Sequence, residues 1–170
     1  MKLKYPKLDL GCGAKKQDGY VGIDVGDFAK VYPDGEFINT DVFQFLKEVK
    51  DEKIKAIYAN QFIEHIPKDW FIPFMNQCYR VLKDKGICEF FFPPAIASDG
   101  MPNGSFYADP LHVNAILLGT FYCFSKEYRD SIKKEQGDVY RGYGIKTDFK
   151  MAEAVYLDKY QVKIKLVKVK

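Results

Sequence analysis

The sequence predicts a single α/β domain built on a mostly parallel sheet that closes with an antiparallel terminal hairpin. Three observations carry this. Short apolar runs alternate with stretches of helical periodicity from Lys7 to Phe92, the pattern of parallel strands joined by crossovers. The chain ends on two further runs, Ala154–Leu157 and Gln161–Val169, parted only by Asp158-Lys159-Tyr160, so they are expected to pair antiparallel. Finally, 170 residues at 47% apolar composition fill one core and little more, so one domain over 1–170 is expected.

The elements follow in order. Strands are expected at Lys7–Leu10, Tyr20–Asp24, Glu36–Thr40, Lys55–Ala59 and Ile87–Phe92. Asp41 is placed to cap a short helix that turns Phe43, Phe45, Leu46 and Val49 toward the sheet. Asp69 is placed to cap a longer one, in which Phe71, Phe74, Met75, Cys78, Val81 and Leu82 recur at near-helical spacing and Lys85-Gly86 ends the run. Pro73 falls near its first turn, where proline does least harm. From Pro93 to Phe124 the pattern dissolves into Pro, Gly, Asn and Asp with embedded aromatics. A connection that long inside a small domain is functional or mobile, and 93–124 is expected to be a substrate lid. Ser125–Gln136 reads as a charged helix.

Composition narrows the function classes. Lys+Arg exceed Asp+Glu by only 26 to 23, so no strong field directs the chain to nucleic acid or to an anionic membrane. The basic tail alternates Val162, Ile164 and Leu166 with Lys163 and Lys165, which reads as an edge strand protected against aggregation rather than a nucleic-acid contact. No leader-like apolar segment opens the sequence, and the longest apolar run, Ala115–Phe124, is too short to span a bilayer. A cytoplasmic setting without a membrane partner is expected, and nothing specifies an oligomer. Cys12, Cys78, Cys88 and Cys123 form no C-x-x-C pair and there are two histidines, so no metal is expected. The 14 Phe and 12 Tyr imply a well-buried interior, an aromatic ligand pocket, or both.

The chemistry starts at Asp9-Leu10-Gly11-Cys12-Gly13, which sets two glycines at the carboxyl end of the first strand, where open α/β sheets bind ligands. Asp24 ends the second strand, where a carboxylate can accept ribose hydroxyls or simply close a turn. Asp41-Val42 ends the third, able to meet an adenine or only to cap the helix. Asn60-Gln61-Phe62-Ile63-Glu64-His65-Ile66-Pro67 leaves the fourth and brings an acid and an imidazole to the same edge.

Taken together, LDLGCG at 8–13, GIDV at 22–25, NQFIEHIP at 60–67 and CYRVLKDKG at 78–86 resemble the class I S-adenosylmethionine-dependent methyltransferases, in particular their compact type 11-like group. The resemblance implies a Rossmann-like sheet of seven strands with a reversed final strand, and S-adenosylmethionine as cofactor. It implies that Gly11 and Gly13 line the methionyl moiety, that Asp24 meets the ribose and Asp41 with Val42 the adenine, and that Asp9, Cys12 and Asn60 complete the cofactor site. One departure stands out. Only Ala14–Gly19 separate Gly13 from Tyr20, too few for a crossover helix, so a loop is expected there. Lys15 or Lys16 in that loop can reach the cofactor carboxylate, or both are simply solvated. A nicotinamide site does not fit, since the third glycine of G-x-G-x-x-G would fall at Lys16 and no helix N-terminus backs a pyrophosphate.

Methyl transfer to a hydroxyl needs alignment and a proton acceptor. The candidates are His112, His65 and Asp109, with His112 preferred because it lies in the polar Asp109-Pro110-Leu111-His112-Val113-Asn114 cluster of the expected lid. Asp109 is expected to hold its ring. A metal held by Glu64, His65, Asp109 and His112 is a lesser reading. The expected partner is a small-molecule or sugar-like acceptor. The alternatives are a methyltransferase-like binding protein without catalysis and, further off, a nucleic-acid methyltransferase.

Overall fold

In the computed structural model, which describes residues 6–170, seven strands form one sheet. They are β1 (Lys7–Leu10), β2 (Val21–Asp24), β3 (Phe37–Asn39), β4 (Ile54–Asn60), β5 (Leu82–Phe92), β6 (Phe149–Tyr156) and β7 (Val162–Lys168). Residues 1–5, the start of the expected domain, lie outside the described residues. The order is β3-β2-β1-β4-β5-β7-β6. The first five strands are parallel, and β7 runs antiparallel between β5 and β6.

Two crossover helices cover one face, α1 (Val42–Glu48) and α2 (Lys68–Val81). The connections β3→β4 and β4→β5 step across the sheet in the same direction, so right-handed crossovers place both helices on the same side. There the register stacks Leu8, Val21, Ile57, Cys88 and Leu166 in one row. Beside them Leu10, Ile23, Phe90, Phe92 and Ile164 are fully buried, and Phe74 of α2 packs on Phe90 at 6.2 Å between ring centroids. Arg80 of α2 donates to the carbonyls of Leu46 and Val49, closing the end of α1 where orphan acceptors and the helix dipole favour a cation.

Among the described residues the opposite face carries no helix, because β1→β2 and β2→β3 are joined by loops. Its central row is Asp9, Gly22, Tyr58, Glu89, Lys165 and Glu153. This corrects the edge-strand reading of the lysine alternation. β7 is an interior strand, and Lys163 and Lys165 alternate with buried residues because they point to the solvated face.

Other boundaries shift for local reasons. α2 starts after Pro67 rather than Asp69, and it ends at Val81, not at Lys85-Gly86. Its last carbonyls, on Arg80 and Val81, accept from Glu52 and Lys53, so no glycine cap is needed. β5 begins at once, and residues 83–86 form an irregularity in its pairing with β4. β6 begins at Phe149, five residues before the expected start at Ala154. Within 93–124 lie a short helix, α3 (Gly104–Tyr107), and a 3-10 segment at Leu118–Phe124 that buries Phe121 and Phe124 in the core. The charged helix, α4 (Lys126–Gln136), lies where it was expected, with Ser125, the first residue of the expected span, serving as its cap. Among the described residues no helix is long and apolar enough to cross a membrane.

Candidate active site

β1 ends in a turn that requires glycine. Gly11 has φ 65°, and a Cβ there would lie 2.2 Å from the Phe62 ring, so the turn and the β4 connection share one space. Gly13 also has positive φ, but nothing lies within 4 Å of a Cβ there, leaving that side of the turn open. Asp24 at the end of β2 accepts Gly13 N–H on one carboxylate oxygen at 2.9 Å and Gly26 N–H on the other at 2.7 Å. Each oxygen keeps a lone pair for a ligand hydroxyl. Val25, next in the chain, is 71% exposed, an apolar surface set beside that carboxylate. Asp41 caps α1 by accepting Gln44 N–H, Val42 is buried, and Asn60 stands exposed at the end of β4.

The loop that stands in for the missing crossover helix is tied down by side chains that sequence patterning did not single out. Tyr32 Oη donates to the Gly13 carbonyl at 2.7 Å and accepts Lys16 N–H at 2.9 Å. Asn39 donates to the carbonyls of Asp24, Val25 and Gly26 and cinches the turn after β2. Asp9, 1% exposed, accepts Gln17 N–H at 2.6 Å. Burial raises its carboxyl from 3.8 to about 6, against the opposing pull of that hydrogen bond. Its visible role is therefore to hold the loop. Lys16 is not free for a cofactor carboxylate, since its buried side chain pairs with Glu36 at 3.1 Å. Cys12 packs its sulfur over Gly22, and burial pushes its thiol up to about 12, away from nucleophilic use.

One strand over from the glycine turn, the residues after β4 meet the long segment. Glu64 is wholly buried, and neither of its carboxylate oxygens has a hydrogen-bond partner. Its backbone carbonyl accepts from Val113 and Asn114, which draws residues 109–114 across it. His112 Nε2 lies 4.0 Å from Glu64 Oε1 and 3.6 Å from Asp109 Oδ2, and the His65 and His112 rings are 4.8 Å apart. The two histidines offered as rival candidates thus share one site. The ring of His112 is not held as expected. Its Nδ1 faces the Phe106 carbonyl at 2.9 Å, and Asp109 approaches the other nitrogen. Burial pushes the Glu64 carboxyl up to about 7, with the Asp109 charge adding to the rise. Glu64 was legible only as a neighbour of His65; its burial depends on contacts from residues far along the chain.

The fold matches known structures. A SAM-dependent methyltransferase from Archaeoglobus fulgidus superposes with TM-score 0.62 at 15% identity, over 95% of this chain and 85% of the other. The fold is that of the class I S-adenosylmethionine-dependent methyltransferases. A second methyltransferase, from Mesorhizobium loti, gives TM-score 0.59 at 11% identity, over 95% and 90% of the two chains. A geranyl diphosphate C-methyltransferase from Streptomyces coelicolor gives 0.58 at 12% identity, over 98% and 74%. No protein-family model and no curated protein matches the chain. Within this fold, the glycine turn follows β1 and Glu64 follows the neighbouring parallel strand β4, with His112 of the long segment after β5 brought against it.

Proposed function

We propose that the protein is an S-adenosylmethionine-dependent methyltransferase acting on a small-molecule acceptor, sugar-like or otherwise bearing a hydroxyl or amine. The observation that carries this reading is the juxtaposition of two half-sites at one sheet edge: an open glycine turn with Asp24 beside it, and a buried acid with two imidazoles. The named structural neighbours include enzymes for geranyl diphosphate and for 1,6-didemethyltoxoflavin, small molecules in both cases.

Gly11, Cys12 and Gly13 would flank the methionyl end of the cofactor, Asp24 would accept from the ribose, Asp41 and Val42 would meet the adenine, and Asp9 and Asn60 would bound the site. The bound cofactor supplies an electrophilic methyl on a sulfonium. Transfer breaks the S–CH₃ bond, forms a bond from carbon to the acceptor's oxygen or nitrogen, and leaves the acceptor's proton to be taken up. His112 is the residue to receive it. Its Nδ1–H is committed to the Phe106 carbonyl, so Nε2 carries the free lone pair and faces the acidic pair.

The test is transfer of a labelled methyl group from S-adenosylmethionine across a panel of small hydroxyl and amine acceptors. With an acceptor in hand, His112→Ala should lower the rate about 10²–10⁴-fold while calorimetric affinity for S-adenosylhomocysteine stays unchanged. Cofactor binding without transfer to any acceptor would favour the binding-protein alternative. An undiminished rate in His112→Ala would remove the residue from the mechanism.

A further inference from the structure

The Glu64 cluster has an imbalance of hydrogen-bonding character. His65 Nδ1 lies 3.1 Å from the Leu111 carbonyl, and His112 Nδ1 lies 2.9 Å from the Phe106 carbonyl. A carbonyl only accepts, so each Nδ1 must carry the proton, and in the neutral rings both Nε2 atoms are bare lone pairs. His112 Nε2 faces the orphaned Glu64 carboxylate and Asp109 Oδ2, three groups of acceptor character, and a ring nitrogen of His65 lies within 4.8 Å of the Glu64 and His112 ligand atoms. A buried carboxyl in that setting is neutralised either by a proton or by a cation, and the acceptors gathered beside it suit the cation.

We infer that Glu64, His65 and His112, with Asp109 beside them, bind one divalent transition-metal cation. The donor atoms of Glu64, His65 and His112 all lie within 4.8 Å of one another. A cation at about 2.0–2.2 Å from each ligand needs them roughly 3–3.5 Å apart, which a modest closing of the two rings provides. Two imidazoles and carboxylate suit zinc, cobalt, iron or manganese. The backbone carbonyls that orient each ring from its far nitrogen are the second shell that metal-binding histidines use. The sequence offered these four residues only as a lesser reading because they come from two segments that the fold alone brings together.

The inference rests on the methyltransferase reading for its use, not for its occurrence. With a cation bound, Nε2 of His112 is a ligand and no longer a proton acceptor. An acceptor hydroxyl coordinated at an open position would have its pKa lowered by the cation's charge, and its proton would pass to Asp109, the exposed carboxylate of the group.

The experiment is titration of the chelator-treated full chain with Co²⁺, read by its visible ligand-field absorption, followed by displacement with Zn²⁺. One equivalent should bind. His65→Ala, His112→Ala and Glu64→Gln should each weaken binding by at least about 100-fold, while Glu153→Gln on the open sheet face should leave it unchanged. Circular dichroism checks that each variant is folded, and Glu64→Gln, which keeps the shape, guards against loss of the alanine variants. Absence of the absorption, or binding undiminished in the folded histidine variants, overturns the inference. Neither outcome touches cofactor binding, which calorimetry reads separately.

Discussion

Asp9 faces the side of the sheet without helices, and the short loop after Gly13 folds over it until 1% of its surface is exposed. Its position in the glycine motif was legible; its burial was not, because that comes from Gln17 crossing above it. The consequence is a stability term of definite sign. With the folded carboxyl raised from 3.8 to about 6, the folded state holds more protons than the unfolded state between roughly pH 4 and 6. Stability therefore falls as pH rises through that window and levels off above it. The rise corresponds to about 3 kcal/mol at neutral pH. Asp9→Asn keeps an acceptor for Gln17 N–H and removes the charge. In the absence of cofactor it should be more stable than the wild type by up to about 3 kcal/mol at pH 7 and equal to it below about pH 4. Urea unfolding at the two pH values measures this, and an unchanged difference between them would show that Asp9 is not a charged burden on the fold.

The segment 93–124 combines irregular backbone with anchoring to distant parts of the chain. Its Pro, Gly and Asn punctuation marks it as irregular, yet much of it is anchored. Ala95 donates to the Ile116 carbonyl, Val113 and Asn114 donate to Glu64, and Phe121 stacks on Phe90 in the core. These ties span large sequence separations, so no local pattern announces them. The most exposed part is Gly104–Leu111, where Tyr107 and Leu111 are exposed and Asp109 lies at the rim of the His112 cluster. Hydrogen exchange should divide the segment accordingly. On adding S-adenosylhomocysteine with an acceptor, amides in 104–111, whose bonds are local to the segment, should slow by at least about 10-fold, while those of Ala95, Val113 and Asn114, bonded to residues 21 to 50 positions away, should not change. Uniform indifference across the segment would make it a fixed wall rather than a lid.

At the scale of the molecule, the strand order was not read from the sequence, whereas the antiparallel terminal hairpin was readable from strand patterning and the loop between the first two strands from the shortness of Ala14–Gly19. The effect of losing helices between the first three strands was not. Parallel sheets are ordinarily covered on both faces, and here one face is finished with Tyr20, Tyr58, Ile87 and Phe91, half-buried, under long charged side chains. Lys163 pairs with Glu153 at 2.8 Å and with Glu89 at 3.5 Å, and its ammonium lies 5.8 Å from the Phe91 ring. Lys165 reaches the same Glu89 at 3.6 Å. Such half-exposed pairs contribute little to folding, and valine suits a strand at least as well as lysine. Their effect is on solubility, since the lysine stems cover aromatic surface while the charged heads keep water over it. Replacing Lys163 and Lys165 together by valine should therefore leave unfolding stability within about 1 kcal/mol of the wild type. The same change joins Tyr58, Phe91, Val155 and Val167 into a continuous apolar patch, which drives association. Sedimentation velocity should show the double variant shifting to larger species as concentration rises, beyond any self-association of the wild type. A double variant that sediments as the wild type does would mean that the aromatic face is protected by its shape and not by its lysines.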